Sequence, residues 1–407
     1  MVNRTPSHTP AADRVRDLAD DLGFALCGIA PAAPTAHGDF VRQWLAEHKH
    51  GEMHYLATNL DVRLDPRELL PDARAVIVVA DFYPADPPSA INNQKSEIPK
   101  ARIARYAWAD DYHKLIKKRL HRFADALREQ HPDAAFRCTV DTAPLLEREH
   151  AARAGLGWTG KHTLLIHPRF GSYMLLGAIV TTLDLAATPA SASHAPGGVG
   201  VRDSSISLPS VDHCGTCTRC IDACPTHCIA DPAQMQGHRT LDATRCISYL
   251  TLEHRSLIDT SLHAPMGDWL AGCDVCQQVC PYNQPIETVT TYQQSEIRNQ
   301  KSGLSLPIHP RYTPRPDLAA GLDLLDVLNW TAADRQHVFQ GSALKRMKLE
   351  MVKRNALIAA GNALMERDHP ALRERVYELA NDADEHELVR ETARQVVARL
   401  QCRKPTD

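Results

Sequence analysis

The sequence predicts a multidomain α+β protein in three successive parts: an α/β domain over residues 1–185, a compact cysteine-rich domain over 212–283 and a helical domain over 318–407. Three observations carry this reading. Ala73 to Tyr83 is a nearly continuous apolar run, as in a strand buried on both faces of an α/β layer. Nine of the twelve cysteines fall between His213 and Asn283. From Leu318 onward apolar residues recur at helical spacing, with no strand-like alternation. Residues 186–211, rich in Ala, Ser, Gly and Pro, read as a flexible insertion, and 284–317 as a polar linker.

Composition narrows the class. The 407 residues are 43% hydrophobic, enough for real cores, and the net charge is −3, so overall charge predicts no polyanion partner. Charge is distributed unevenly, however. Lys100 to Arg122 holds eight Lys and Arg, and Lys345 to Arg354 holds five. Such patches serve a nucleic acid or are plain solvated helix faces. No apolar run approaches the roughly 18 residues of a membrane span, and Met1 to Ala12 lacks the apolar core of a signal peptide. A cytoplasmic protein with reduced thiols and no membrane partner is expected.

The cysteines define the middle part. Cys214, Cys217, Cys220 and Cys224-Pro225 follow the C-x2-C-x2-C-x3-C-P spacing that wraps a cubane [4Fe–4S] cluster. Cys273, Cys276 and Cys280-Pro281 form a second run that lacks its first ligand. Cys246, alone between the runs, is its natural supplier. In two-cluster ferredoxins the Cys before Pro ligates the other cluster. The expected ligands are therefore Cys214, Cys217, Cys220 and Cys280 for one cluster, and Cys224, Cys246, Cys273 and Cys276 for the other. Zinc prefers separated C-x2-C pairs, which the triple repeat and the Cys-Pro endings argue against. Cys228 is the one rival to Cys246, and reads otherwise as a small buried residue. The fold expected here is ferredoxin-like.

Around this centre the elements fall in order. Residues 13–22 form an amphipathic helix ending at Gly23, and Phe24 to Ile29 a strand. Phe40 to His48 is a helix with Trp44 and Leu45 inward. Pro84 to Pro99 is a Pro-rich loop. Asp111 to Gln130 is a helix with Leu115, Leu120, Phe123 and Leu127 on one face, capped by Asp110 or Asp111. Phe136 to Val140 is a strand, and a helix runs from Asp141-Thr142-Ala143-Pro144 to Gly155. Lys161 to His167 and Ser172 to Thr182 are further strands. The polar stretch near 284–313 repeats the Asn-Gln-Lys-Ser of residues 93–96, a loop sequence rather than a functional repeat. Gly341 to Met365, Leu372 to Ala380 and Glu385 to Leu400 read as helices whose stacking resembles HEAT-type units.

Paired cubanes carry single electrons to something that reacts, and no G-x-G-x-x-G or Walker motif supplies a nicotinamide or ATP site. The acceptor is then a cofactor in the N-terminal domain. Asp141 is the best acid there, because open α/β sheets bind ligands beyond the carboxyl ends of their strands. Buried beside a cofactor, its pKa would rise toward neutrality. Read from the residues alone, a plain helix N-cap is the stronger reading. Asp111-Tyr112-His113 opens like the D-x-H-x-x-G cobalt-ligand pattern, but position 116 is Ile. His113 is expected to act as a cap, a surface residue or a contact at the cofactor's periphery, not as an axial ligand.

Taken together, these residues resemble one family, the epoxyqueuosine reductases. The matching stretches are Arg105-Tyr106, Asp111 to His113, Val140 to Arg148, Ala154 to Lys161, Gly171 to Gly177, Cys214 to Thr226, Cys246 to Glu253, Gly272 to Cys276, Cys280 to Asn283, Gly341 to Arg346, and Arg354 to Leu357 with Gly361-Asn362. The resemblance spans nearly the whole chain apart from its insertions. It implies reduction of epoxyqueuosine to queuosine at wobble position 34 of tRNA, the last step of queuosine biosynthesis, on the Asp, Asn, His and Tyr tRNAs with GUN anticodons. It implies a base-off cobalamin, resting as cob(II)alamin, between the α/β and cluster domains. An external low-potential donor would feed electrons through the clusters to cobalt. The resemblance makes Asp141 the proton donor to the departing epoxide oxygen. It maps cobalamin contacts to Arg63, Arg105, Asp141, Lys161, Ser248 and Asp274. The basic patches and helical tail would then grip the anticodon stem-loop, with Arg255, Lys345, Arg346 and Arg354 as tRNA contacts. A monomer is expected.

Two other readings compete. A corrinoid and iron–sulfur reductive dehalogenase shares the cofactor set, but it would carry a twin-arginine signal and needs no RNA-binding tail. A plain ferredoxin-type carrier leaves the 185-residue N-terminal domain without a purpose.

Overall fold

The structure is a computed structural model that describes residues 10–84, 98–188, 213–235, 237–283 and 308–402 of the chain. The expected polar N-terminus up to residue 9, most of the 84–99 loop, nearly all of the 186–211 insertion and most of the 284–317 linker lie outside the described residues.

The first part is built on a four-stranded sheet. It orders β1 (Leu26–Pro31), β2 (Ala75–Phe82), β7 (Met174–Thr181) and β4 (Phe136–Thr139) as β1-β2-β7-β4. Every neighbour is antiparallel, and one register line runs Ile29, Ile77, Ile179, Cys138 across it. The strand expected to be buried on both faces is so, and it lies in an antiparallel sheet. All eight residues of β2 are buried, but an apolar run reports cover on both faces, not strand direction. Ile77, Val79 and Ile179 pack against Ile116, Leu120, Phe123 and Leu127 of helix Tyr112–Gln130 and against helix Pro10–Asp21. Val76, Val78 and Val180 pack on the other face with Ala151 of helix Glu147–Arg153. On helix Tyr112–Gln130, Ile116 takes the fully buried position and Leu115 is only partly covered. The helices approach closely where the sheet has glycine. A Cβ on Gly177 would meet Ile116 at 2.6 Å, and one on Gly28 would clash with the Ala154 carbonyl.

Two expected elements are shorter than read. The strand over Lys161–His167 reduces to a two-residue ladder, β5 (Trp158–Thr159) with β6 (Leu165–Ile166). The helix expected from Asp141 begins only at Glu147, with Leu146 at its N-cap and no side-chain cap. Asp141 therefore does not cap it.

A second sheet ties the three parts together. β3 (Lys100–Ile103) runs parallel to β8 (Trp269–Ala271) of the cysteine-rich part and antiparallel to β9 (Leu322–Asp323) of the C-terminal part. Its core continues from Ala101, Ile103 and Trp108 through Leu270 to Leu324, Leu357, Val376, Val389 and Val396. Packing thus crosses the linear boundaries. The C-terminal part contributes helices Leu349–Glu366, Pro370–Asn381 and Glu387–Gln401. The expected helix from Gly341 is interrupted by a 3-10 turn over Ala343–Arg346, where the Ser342 hydroxyl accepts the Leu344 amide at 3.1 Å. Helix Leu349–Glu366 is enclosed on most sides, so its apolar pattern lacks a single stripe. No described helix is long and apolar enough to cross a membrane.

Candidate active site and double-cluster loops

Short turns aim the thiols. The Cys217 amide donates to the Cys214 carbonyl at 2.9 Å, and helix Arg219–Asp222 carries Cys220 inward. Cys214, Cys217, Cys220 and Cys280 line one cavity with His213, Lys161 and Tyr282. Burial pushes the Cys280 thiol up to about 12, and the charges that raise it further are those of Cys214, Cys220 and Cys217. These four are the set expected for the first cluster.

The second set gathers beside it. Burial pushes Cys273 up to about 12, with Cys246 and Cys224 among its neighbours. Cys276 is raised well above the ordinary thiol range by burial, and Cys273 and Cys246 face it. Ligation of iron by such protonated thiols has to expel their protons. Gly272, with φ 72°, turns the chain into Cys273 where a Cβ would strike Ala104. Cys228 is buried, as expected. Its sulfur lies 3.4 Å from that of Cys224 and it hydrogen-bonds Cys246 as well. It touches two members of the second set, Cys224 and Cys246. The donor set, eight thiols in two neighbouring groups, fits two cubanes.

Asp141 occupies a different kind of position. It follows β4 with a left-handed backbone, φ 49°. Its Oδ2 lies 3.0 Å from His113 Nε2 and accepts the Tyr112 hydroxyl at 3.3 Å. His113 Nδ1 is 2.8 Å from Asp111 Oδ1, and Asp111 also caps helix Tyr112–Gln130 by accepting the His113 amide at 3.1 Å. The result is a carboxylate–imidazole–carboxylate chain at one helix start. Burial opposes charge on His113, but the hydrogen bonds to Asp111 and Asp141 outweigh it and raise His113 to about 9. The His113 hydrogen bond holds Asp141 below the usual carboxylate range. The expected upward shift of Asp141 is thereby corrected: at neutral pH the pair keeps its proton on His113. The Asp141 side chain is 55% exposed and that of His113 27%, so Asp141 is the more accessible member of the pair. The sequence reading left His113 open between a cap, a surface residue and a cofactor contact, and gave Tyr112 and Glu147 no role of their own. The Asp111-Tyr112-His113 spacing was the available signal for His113 and Tyr112.

The residues expected around a cofactor surround this site unevenly. Arg105 donates its amide to Asp274 at 2.9 Å and its guanidinium to the Tyr173 hydroxyl at 3.0 Å. Asp274, between Cys273 and Cys276, is buried, and burial pushes its carboxyl up to about 6. Arg105 and Asp274 therefore join the N-terminal part to the second cysteine run. Tyr106 lies between the two regions, within the field of both Asp141 and Asp274. Ser248 is half-buried, two residues beyond Cys246. Lys161 donates to the Gly215 carbonyl at 2.8 Å and so clasps the first cysteine loop. Arg63 Nε and Arg105 Nε are buried without hydrogen-bond partners, as donors that await an acidic or amide-bearing ligand would be.

Of the four residues expected to contact RNA, three are exposed. Arg255 and Lys345 face solvent. Arg346 pairs with Glu253 and stands within the field of Asp141. Arg354 is corrected: it is 0% exposed and donates to the carbonyls of Leu250, His254 and Ser256 and to Asn355. A guanidinium so enclosed cannot reach a phosphate. In the first basic stretch, Arg119 is likewise buried against Asp81, while Lys114, Lys117, Lys118 and Arg122 are exposed.

Comparison with known proteins matches these regions. The family profile described as epoxyqueuosine reductase QueG, DUF1730, matches residues 63–142, and a 4Fe-4S double cluster binding domain matches residues 213–283. The epoxyqueuosine reductase of Xanthomonas campestris pv. campestris is 36% identical over 358 residues, covering 88% of each chain. That of Alicycliphilus denitrificans is 35% identical over 93% of this chain and 95% of its own. Among solved structures, epoxyqueuosine reductase from Streptococcus thermophilus superposes with a TM-score of 0.71 at 25% identity, over 95% of this chain and 98% of that one. An epoxyqueuosine reductase crystallised with a tRNA-Tyr epoxyqueuosine-modified stem loop gives a TM-score of 0.72 at 24% identity, over 95% and 89%. With its double-cluster domain and full-length likeness to these enzymes, the chain belongs to the epoxyqueuosine reductase family.

Proposed function

We propose that this epoxyqueuosine reductase acts on position 34 of tRNA, with cobalamin held between the four-stranded-sheet domain and the cysteine loops and with Asp141 passing the proton. The observation that carries this is the Asp111–His113–Asp141 chain, a half-exposed carboxylate backed by an imidazole that is protonated at neutral pH. Removing the epoxide oxygen as water consumes two electrons and two protons. When bound, cobalamin supplies the reducing centre at the epoxide carbon, and the [4Fe–4S] clusters supply the electrons one at a time.

The chain's own groups handle the rest. His113 Nε2 holds a proton against Asp141 Oδ2. As charge develops on the departing oxygen, that proton passes from His113 through Asp141 to the oxygen, and solvent supplies the second proton and recharges His113. The Tyr112 hydroxyl, donating to the same Oδ2, keeps the carboxylate oriented. Cys214, Cys217, Cys220 and Cys280 hold one cluster, and Cys224, Cys246, Cys273 and Cys276 the other. The unpartnered Nε atoms of Arg63 and Arg105 support cobalamin contact there, with Ser248 and the Arg105–Asp274 pair alongside. Lys161 serves through the loop it clasps. Arg346, within the field of Asp141, binds RNA phosphates together with the exposed Arg255 and Lys345, and the stacked C-terminal helices act as a HEAT-like support for them. The stem-loop complex of the related reductase supports tRNA as substrate.

The test is nucleoside analysis of epoxyqueuosine-containing tRNA incubated with reconstituted protein, cobalamin and a low-potential reductant. Queuosine should accumulate with the native protein. Asp141→Asn should keep its iron and its cobalamin spectrum while turnover falls about 10²–10⁴-fold, the usual weight of a general acid. Native turnover in that variant would remove Asp141 from the chemistry.

A further inference from the structure

We infer that Glu147 is a positioning residue that latches the turn carrying Asp141, an inference that rests on Asp141 being the proton donor. Asp141 sits at the apex of a three-residue turn in which the Thr142 amide donates back to the Val140 carbonyl. Its φ of 49° lies in the left-handed region, which non-glycine residues adopt only when their surroundings impose it. Left to itself, the backbone there would relax toward ordinary β or α values and carry the carboxylate away from His113.

On the backbone side, one side-chain contact opposes that relaxation. The Asp141 amide donates to Glu147 Oε1 at 2.7 Å. Glu147 is well placed to hold it. It is the first residue of helix Glu147–Arg153, whose Ala151 lies in the core beneath the sheet, and Leu145 just before it is buried too. The anchor is thus rigid while the turn it grips is not regular structure. The latch and the donor occupy opposite sides of one residue: backbone N–H to Glu147, side chain to His113 and Tyr112. Glu147 has no need to touch substrate.

The charge around Glu147 fits this role. It is faced by Asp141 and Arg148, by His113 and Tyr112 across the turn, and by Arg63. Burial, and then the nearby Asp141 charge, push its carboxyl up to about 8. At neutral pH it is therefore mostly a neutral acid, whose carbonyl oxygen accepts the amide without setting a second negative charge beside Asp141. An amide side chain of the same shape would do the same.

The test uses the reconstituted full chain with epoxyqueuosine-containing tRNA. Glu147→Ala should lower kcat about tenfold or more with KM for tRNA within about twofold, the split expected for a group that acts on the chemical step. Iron content and cobalamin spectrum should be unchanged. Glu147→Gln should restore kcat to within about threefold, because its side-chain oxygen accepts the same N–H. In an Asp141→Asn background, adding Glu147→Ala should change the residual rate by less than about twofold, since two residues acting as one unit are not additive. Native kcat in Glu147→Ala, a Glu147→Gln variant as slow as the alanine, or an undiminished loss in the Asp141→Asn background would each overturn the latch. An active Asp141→Asn protein would instead remove the proton-donor reading itself. Should the alanine variant fail to fold, Glu147→Asp makes the same test, since it keeps the carboxyl but withdraws it from the amide by one methylene.

Discussion

At Asp141 and His113 the decisive quantity is where one proton rests. Isolated imidazole titrates near 6.5, and here His113 is raised to about 9 because hydrogen bonds to two carboxylates outweigh its burial. The stabilisation it contributes is fully present below pH 6.5 and is lost as pH rises through about 9. On the proposed mechanism the same loss removes the proton that Asp141 passes on. Turnover should therefore fall on an alkaline limb centred near pH 9, and His113→Gln should abolish that limb while lowering the plateau. A pH–rate profile in single turnover checks it, and an unshifted limb in His113→Gln would assign the proton elsewhere. The Val140 to Arg148 stretch singled out Asp141, but said nothing of where its proton rests. His113 lies 28 positions earlier, and only the packing of helix Tyr112–Gln130 over the end of β4 brings the two together. Nor does any spacing rule announce the left-handed turn that aims the carboxylate, since Asp tolerates that conformation without requiring glycine.

At the level of elements, burial and loop spacing were legible in the sequence, whereas strand direction carries no local signal. The i, i+3, i+6 cysteines report their own loop, and a run of apolar residues reports burial; both are local. Whether β2 pairs parallel or antiparallel depends on chain returning from a hundred residues away, as β7 does. Cys246 lies between these cases. Its solitary place between two runs suggested a ligand, and the structure brings it among Cys224, Cys273 and Cys276. Cys228 is the competitor, since its thiol touches both Cys224 and Cys246. Cys246→Ala should accordingly lose one cubane, about four irons per chain, and Cys228→Ala should lose none. Iron determination with electron paramagnetic resonance on the reduced protein distinguishes them. If the loss follows Cys228 instead, the two thiols exchange roles.

Across the whole molecule, the three parts named from the sequence are a division of the chain more than of the structure. One strand from each meets in the β8-β3-β9 sheet, and a single core runs from Ile103 through Leu270 to Val396. Composition shows where a segment changes character, but not that two segments share a core. Deleting the C-terminal helices to test RNA binding would therefore expose Ala101, Ile103 and Trp108 and unfold what it was meant to probe. Point substitutions separate the two roles, and they do so inside one basic stretch. Lys345 is exposed, whereas Arg354 is 0% exposed and satisfies three backbone carbonyls and Asn355. If Lys345 binds one RNA phosphate as proposed, Lys345→Ala should leave thermal stability and iron content unchanged while reducing the salt dependence of tRNA binding, log K against log salt, by about 0.7–0.9. Arg354→Ala should do the reverse. It strands buried acceptors, costs about 3–5 kcal/mol of folding stability, and leaves the salt slope of whatever protein remains folded as it was. Binding titrations at several salt concentrations, paired with thermal unfolding of both variants, check the contrast. A salt slope that changes in Arg354→Ala and not in Lys345→Ala would mean that the RNA opens this packed seam between the cluster loops and the helical tail.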